Sequence, residues 1–260
     1  MKRKNEQSIL DLFPKKRKAL PVEYQSIYKT HYKRNRGGKT KATSLSMKME
    51  GWLHKQVAKD IKKAGKDIDT LEIGAGTLNH LDYEQNIISY DIVEPFTELF
   101  EKSNQLKRIK NIFPDILDID NNSRYSRIIS IATFEHIVDL PVVVAKAALL
   151  LKKNGSLRVS IPNEGTIMWK LGTLITGAEF KKLYGLDYQV LMRYEHVNTA
   201  DEIERVLQFF FKKTKTNVFG ISKKLAFYRF IYCEGPEVDK ATDYLAKTLK
   251  KPYHCPPSKI

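Results

Sequence analysis

Five short apolar runs, Ile68–Ile73, Ile87–Glu94, Ile109–Phe113, Arg127–Ala132 and Ser156–Ile161, follow one another within about a hundred residues. That rhythm limits the possible folds more than any other feature of the chain. Runs such as Ile128-Ile-Ser-Ile-Ala132 lack polar alternation and suit strands buried on both faces of a parallel sheet, which needs crossover segments to cover it. Pro95–Ser103 and Pro141–Leu151 read as such helices. Farther on, Thr199 or Asp201 caps a helix running through Phe211, and Thr214–Phe219 and Ala226–Glu234 read as strands able to pair as an antiparallel hairpin. Strands alternating with helices specify an α/β fold.

The first run ends in a tight glycine turn, Leu71-Glu-Ile-Gly-Ala-Gly-Thr-Leu78. Glycines there admit positive φ and let a ligand approach the backbone, at the carboxyl end of a strand where open α/β sheets bind small molecules. About twenty residues on, Glu94 ends the second run, placed to accept hydrogen bonds from ribose hydroxyls. Asp91 is the rival. Residues three apart on an extended strand face opposite ways, so only one of the two points into the cleft. Glu94 is preferred as the terminal residue, followed by Pro95, which suits a first helical turn. The dinucleotide pattern GxGxxG is not met, because Asn79 stands at its third glycine, and a nucleoside ligand fits better than a dinucleotide.

Leu71-Glu-Ile-Gly-Ala-Gly-Thr77 resembles motif I of class I S-adenosylmethionine-dependent methyltransferases, with Leu78 in place of a last glycine. Val93-Glu-Pro95 resembles the family's second-strand acid motif, and Ile112-Phe-Pro-Asp115 its third-strand end. Ile131-Ala-Thr-Phe-Glu-His-Ile-Val-Asp-Leu-Pro141 resembles the fourth-strand motif of its small-molecule branch. Ala148-Leu-Leu-Leu-Lys-Lys-Asn-Gly-Ser-Leu-Arg-Val-Ser-Ile-Pro-Asn163 resembles its leucine-rich helix, glycine turn and fifth strand. Ser126 stands where an Asp commonly opens the fourth strand. The similarity covers residues 68–234 and implies a doubly wound, mostly parallel seven-stranded sheet whose last strand is antiparallel.

The resemblance also implies a reaction, in which an acceptor attacks the donor's methyl sulfonium in line and S-adenosylhomocysteine is the product. It assigns Glu72, Gly74, Ala75, Gly76, Glu94, Asp115, Ile116 and Thr133 to the cofactor. Gly74 and Gly76 would border its methionine part and Glu72 would hold the turn. Glu94 would take the ribose, Asp115 would meet the adenine amino group and Ile116 would pack on the ring. An alcohol or phenol acceptor must lose a proton, and His136, near the fourth-strand end, is the candidate general base because imidazole titrates near neutrality. His196, in Tyr194-Glu-His196, either lines the acceptor pocket or braces its loop. Trp169, Met168 and Tyr184 fall in an insertion, residues 163–198, that in such enzymes covers the acceptor. Relatives with a Glu-His pair bind a metal with a further Glu three residues earlier. Ala132 occupies that place, so no metal is expected.

The charge is uneven. Of a net +15, residues 1–60 hold 16 Lys/Arg against 5 Asp/Glu, while the other 200 residues hold 29 against 25. Residues 1–21 read as a poorly ordered basic arm, 22–66 as a helical extension, 67–235 as the catalytic domain, and 236–260 as a C-terminal helix and tail. Tyr24, Ile27, Tyr28 and Tyr32 can share one helical face before Arg36-Gly-Gly38, and Leu45, Met49, Trp52, Leu53 and Val57 form an apolar stripe. Residues 1–41 could meet nucleic acid or an anionic membrane surface. Gln7, Leu10 and Phe13 resemble the anchors of a sliding-clamp peptide, and Pro14–Lys18 a nuclear import signal, both short patterns that arise by chance. Cys233 and Cys255 have no CxxC or Cys/His spacing, so neither disulfides nor a zinc site is indicated, and a reducing cytoplasmic compartment fits. No run is long enough to cross a bilayer. The function expected is methyl transfer to a small or sugar-like acceptor at oxygen. The basic arm motivates a nucleic-acid methyltransferase as the alternative, and the peptide motif a non-catalytic clamp partner.

Overall fold

A computed structural model of the protein describes residues 9–28, 51–61, 68–84 and 89–249. Seven strands form one sheet: β1 (Asp69–Ile73), β2 (Ser89–Val93), β3 (Asn111–Phe113), β4 (Tyr125–Ile131), β5 (Leu151–Pro162), β6 (Phe211–Gly220) and β7 (Ala226–Pro236). Their order across the sheet is β3-β2-β1-β4-β5-β7-β6. The first five are parallel to their neighbours, and β7 runs antiparallel between β5 and β6. The order reverses at β1, so the carboxyl ends of β1, β2 and β4 open onto a topological switch point, where open α/β sheets bind ligands.

Alternation along the strands sends side chains to two different cores. On one face, Leu71, Ile73, Ile128, Leu157, Val159 and Ile231 pack against α1 (Leu140–Leu150), α4 (Ala200–Phe210) and α5 (Val238–Thr248). On the other, Tyr90, Ile92, Ile129 and Phe230 meet Leu53 and Val57. Residues 51–57 are helical, and their apolar stripe is therefore core packing; Leu45 and Met49 of the same stripe lie outside the described residues. This helix also docks through its carbonyls. Arg127 and Arg158 both donate to the Val57 carbonyl (3.0 and 2.8 Å), and Ser160 donates to that of Leu53 (3.1 Å). Carbonyls near a helix end lack intrahelical partners, and buried arginines supply them together with a favourable charge. Arg127 is itself neutralised by both carboxylate oxygens of Glu84, at 3.0 and 2.9 Å.

α2 (Ile167–Tyr184) and α3 (Tyr188–Glu195) form a cap beyond the end of β5, with Phe180, Tyr188, Leu191 and Met192 as its own small core. α4 begins with Thr199 and Glu202 in a reciprocal capping box. Among the described residues, no helix is long and apolar enough to cross a membrane.

Two expectations change. Pro95–Ser103 is not a helix but a single 3-10 turn, Thr97–Leu99, flanked by Phe96 and Phe100 outside helical geometry. The Glu94 side chain accepts the Phe96 N–H, and Phe100 turns its ring into the second core, so the segment stops after one turn. The N-terminal segment is also not a loose arm from residue 9 onward. Ile9 is 1% exposed in the main core, with Leu10 and Phe13 packed beside it. Burying one such side chain contributes about 1.5–3 kcal/mol. The Lys15 backbone N–H donates to the Val138 carbonyl (2.8 Å), and its ammonium pairs with Glu202 at 2.6 Å. The Leu10 and Phe13 side chains are thus spent inside the protein and do not form a free clamp-binding peptide. Gln7, Tyr32 and Arg36 lie outside the described residues; of the described cations of the 1–41 surface, Lys15 and Arg17 are engaged internally and Lys16 and Lys18 are exposed.

Candidate active site

The glycine turn takes the conformation its residues predict. Gly74 has φ +76° and Gly76 φ +52°. A Cβ on Gly74 would sit 2.3 Å from the Thr133 side chain, a separation no real methyl tolerates. Thr133 follows β4, and its hydroxyl donates to the carbonyls of Ile131 (3.0 Å) and Gly74 (3.3 Å). Glycine is required here by both φ and space. Ala75 is buried beneath the turn. Leu78, where the family resemblance has a glycine, keeps a left-handed φ of +63° and is fully buried.

The two candidate acids separate cleanly. Asp91 accepts the backbone and side-chain N–H groups of Asn111 (both 3.1 Å) and the Tyr125 hydroxyl (2.8 Å), all away from the turn. Glu94 accepts the Gly76 N–H at 2.8 Å and the Phe96 N–H at 3.1 Å. The acid beside the glycine turn is therefore Glu94. Its own N–H donates to the Phe113 carbonyl at the end of β3, two residues before Asp115. Asp115 caps the turn Ile116–Asp118 through one carboxylate oxygen, and Ile116 is buried in the main core. Glu72 does not reach the turn; its carboxylate accepts the Tyr90 hydroxyl at 2.7 Å under the sheet. Burial pushes its pKa up to about 8, with the Tyr90 bond and Arg127 opposing and Glu84 and Glu94 reinforcing that rise.

A second group of side chains lies just past β4. Residues 134–136 form a short 3-10 turn, and His136 directs Nδ1 at the Glu195 carbonyl, 3.0 Å away. A carbonyl only accepts, so Nδ1 carries a proton, while Nε2 lies 3.9 Å from a Glu135 carboxylate oxygen. The His196 ring stands edge-on to His136 at 4.8 Å and is stacked by Trp169 at 5.4 Å. His196 Nδ1 is 2.5 Å from the Glu164 carboxylate. Burial pulls the His196 pKa down, but the bond to Glu164 and the charges of Glu164, Glu135 and Glu195 outweigh it and hold His196 above the ordinary histidine value. The Asn198 amide donates to the carbonyls of Phe134 (2.8 Å) and Ile137 (2.7 Å), fixing the turn that bears His136.

Sequence reasoning singled out both histidines but missed Glu164, Asn198 and Arg17, whose partners lie far along the chain. The expectation of no metal weighed one carboxylate and one imidazole. The structure adds a second imidazole, since Glu135, His136 and His196 each offer a ligand atom within 4.8 Å of the others.

The donor set fits an adenosyl nucleoside bearing a cationic sulfonium. A turn stripped of side chains adjoins a buried carboxylate at the end of the neighbouring strand, and no third glycine forms a pyrophosphate seat.

A family model described as a methyltransferase domain matches residues 48–213. Among solved structures, the chain is similar to the plantazolicin methyltransferase BpumL, crystallised with a monoazolic desmethylPZN analog and S-adenosylhomocysteine. The two are 11% identical with a TM-score of 0.56, over 89% of this chain and 98% of that one. It is also similar to the CurJ carbon methyltransferase, 19% identical with a TM-score of 0.54, over 90% of this chain and 71% of that one. At these identities the likeness shows the fold alone. Comparison with curated proteins finds no match. With the family model covering most of the sheet and both groups of side chains, the chain belongs to the methyltransferase domain family and is a class I S-adenosylmethionine-dependent methyltransferase.

Proposed function

We propose that the protein methylates an oxygen of a small, hydroxyl-bearing, sugar-like acceptor, with His136 receiving the hydroxyl's proton. One observation supports this above the rest. Thr133 touches the glycine turn through Gly74, and only three residues later stands His136, its imidazole oriented by the Nδ1–H bond to the Glu195 carbonyl. The methyl source and a proton acceptor therefore share one short turn. When bound, S-adenosylmethionine supplies a methyl group on a cationic sulfur, open to attack by a nucleophile.

In this reading the chain's residues mainly bind and orient. Gly74, Ala75 and Gly76 offer bare backbone to the methionine part. Glu94 exchanges its bond to Gly76 for the ribose hydroxyls, and Asp115 uses its remaining carboxylate oxygen on the adenine amino group. His136 Nε2 takes the acceptor's proton as the oxygen attacks, which for positioned bases contributes about 10²–10⁴-fold in rate. His196, held by Glu164 and covered by Trp169, walls the acceptor side. Positioning donor and acceptor supplies the remainder of the acceleration.

The test is transfer of a ¹³C-methyl from labelled S-adenosylmethionine to a panel of nucleotide sugars, free sugars, amines and thiols. The reading expects methyl ethers on a hydroxylated acceptor and loss of transfer in His136→Ala with S-adenosylhomocysteine affinity kept. Label recovered only on nitrogen, carbon or sulfur overturns it.

A further inference from the structure

The cap helix α2 carries apolar residues on both of its faces. Trp169 and Phe180 turn into the cap core, and Thr173 is buried on the same side. The opposite face repeats at i, i+3, i+4 and i+7 as Ile167, Lys170, Leu171 and Leu174, and it continues to Lys181 and Lys182. All six are exposed, Ile167 at 63% and Leu174 at 64%. Among the exposed described residues of this helix there is no carboxylate. An ordinary surface helix turns a charged and polar face to water, whereas this one offers three large aliphatic side chains set between lysines.

The tip of the β6–β7 hairpin extends the same surface. Ile221-Ser-Lys-Lys-Leu225 is exposed throughout, Ile221 at 90%. Hydrogen bonds tie this tip to the start of α2. The Asn163 amide donates to the carbonyls of Lys223 and Ala226, both at 2.7 Å, and the hydroxyl of Thr166, the residue that caps α2, donates to the Asn163 carbonyl at 2.8 Å. Lys223 pairs with Glu204, and Lys224 next to it is exposed. Single exposed aliphatics are normal, but aliphatics gathered in one place mark an interaction site.

The chemistry of this face selects its partner. A second copy of the chain would set lysines against lysines with no acid of the face to answer them. A nucleic acid would answer the lysines, but its backbone gains nothing from aliphatic side chains, and the face presents no aromatic ring on which bases could stack. A bilayer with anionic headgroups meets both needs. Aliphatic side chains enter the boundary between headgroups and acyl chains, while lysine stems lie along it and bring their ammonium groups up to the phosphates.

We propose that the face built by α2 and the β6–β7 tip docks on the surface of an anionic lipid bilayer. The contact is peripheral, with α2, about 27 Å long, lying along the membrane plane and the hairpin tip beside its first turn. On its inner side α2 carries Trp169, which stacks on His196, so docking places the acceptor side of the site one helix away from the lipid. The inference does not depend on which atom of the acceptor is methylated.

The full-length protein is tested by flotation with vesicles of phosphatidylcholine alone or mixed with equal parts of phosphatidylserine. The wild type is expected to rise with the anionic vesicles, to stay behind with the neutral ones, and to be released as salt is raised. Lys170→Gln combined with Lys224→Gln is expected to weaken binding roughly 30-fold, about fivefold for each cation near an anionic surface. Leu174→Ser combined with Ile221→Ser is expected to abolish flotation. Neither pair should move the thermal midpoint or S-adenosylhomocysteine affinity, because exposed side chains contribute little to folding. Absence of wild-type flotation overturns the proposal, as does equal flotation with neutral vesicles. Flotation that survives both pairs of changes and is lost when Lys2, Arg3 and Lys4 are replaced by glutamine also overturns it. So does a dimer in sedimentation equilibrium that Leu174→Ser with Ile221→Ser breaks, since a second copy would then cover the face.

Discussion

Glu94 accepts a hydrogen bond from the Gly76 N–H at 2.8 Å, so the bend after β1 and the acid ending β2 are joined before any ligand arrives. The pairing gives the carboxylate a placeholder partner in a site where it is almost wholly shielded from water. A buried carboxylate without hydrogen bonds is costly. In the proposed reading, trading the Gly76 N–H for two ribose hydroxyls would leave it satisfied in both states.

Gly74→Ala is expected to disturb the same bend from the other side. The added methyl meets the Thr133 side chain at 2.3 Å and φ is +76°, so either the turn or the start of the β4 loop must move. The left-handed φ alone costs about 1–2 kcal/mol, and overpacking adds about 1–3 kcal/mol. Urea unfolding should show a loss of that order, and calorimetry a sharp fall in S-adenosylhomocysteine affinity. Adding Thr133→Ala should recover part of both, since it removes two of the three atoms in the way.

Leu78→Gly sets two effects against each other. Glycine would relieve the left-handed strain, about 1–2 kcal/mol, but the leucine is fully buried and truncating such a side chain costs about 2–5 kcal/mol. Burial wins, so the glycine that the motif resemblance calls for should destabilise this protein by a few kcal/mol in urea unfolding. A more stable variant would show that strain at residue 78 dominates instead.

Glu72 predicts a pH dependence. Burial raises its folded-state pKa from 4.5 to about 8, so the folded protein keeps a proton that the unfolded chain releases. Stability from this group is whole below pH 4.5 and is lost as pH climbs through about 8, at up to about 1.4 kcal/mol per pH unit. Glu72→Gln, which cannot ionise, should flatten that slope and gain on the wild type as pH rises toward 8. Denaturant midpoints measured from pH 5 to 8.5 test it, and parallel slopes for the two proteins would contradict it.

Asn198→Ala should loosen the turn bearing His136. The buried amide serves the Phe134 and Ile137 carbonyls, and stranding them costs about 1–3 kcal/mol. The His136 N–H, bonded to the Thr133 carbonyl at 2.9 Å, should exchange with deuterium much faster in the variant while the β1 amides stay protected. Equal exchange rates at His136 would contradict this account of Asn198.

What the sequence made legible follows from how local each feature is. The glycine turn, the end of β2 and the capping box at Thr199 are set by residues within a few positions of each other, and β4 and β5 by unbroken apolar runs. The Pro95 segment misled because a proline before mixed apolar residues reads as a helix start, whereas the Glu94 carboxylate captures the Phe96 N–H and ends the turn early. The arm misled because its charge hides Ile9, Leu10 and Phe13, whose apolar surface finds the main core. Glu164 meets His196 across 32 residues and Arg17 meets His136 across 119. No spacing rule reaches that far, so the acceptor side became visible only through the fold.

Calorimetric titration of S-adenosylhomocysteine into the wild type, Glu94→Gln and Asp91→Asn tests the central claim most directly. Losing a charge-assisted hydrogen bond costs about 1.5–3 kcal/mol, so Glu94→Gln should bind roughly 10- to 100-fold more weakly, and its thermal midpoint should fall as well because the Gly76 and Phe96 N–H groups lose a charged partner. Asp91→Asn should bind like the wild type while unfolding at a lower temperature, because Tyr125 and Asn111 lose a charged partner. Undiminished binding in Glu94→Gln, or weakened binding in Asp91→Asn alone, would contradict the account.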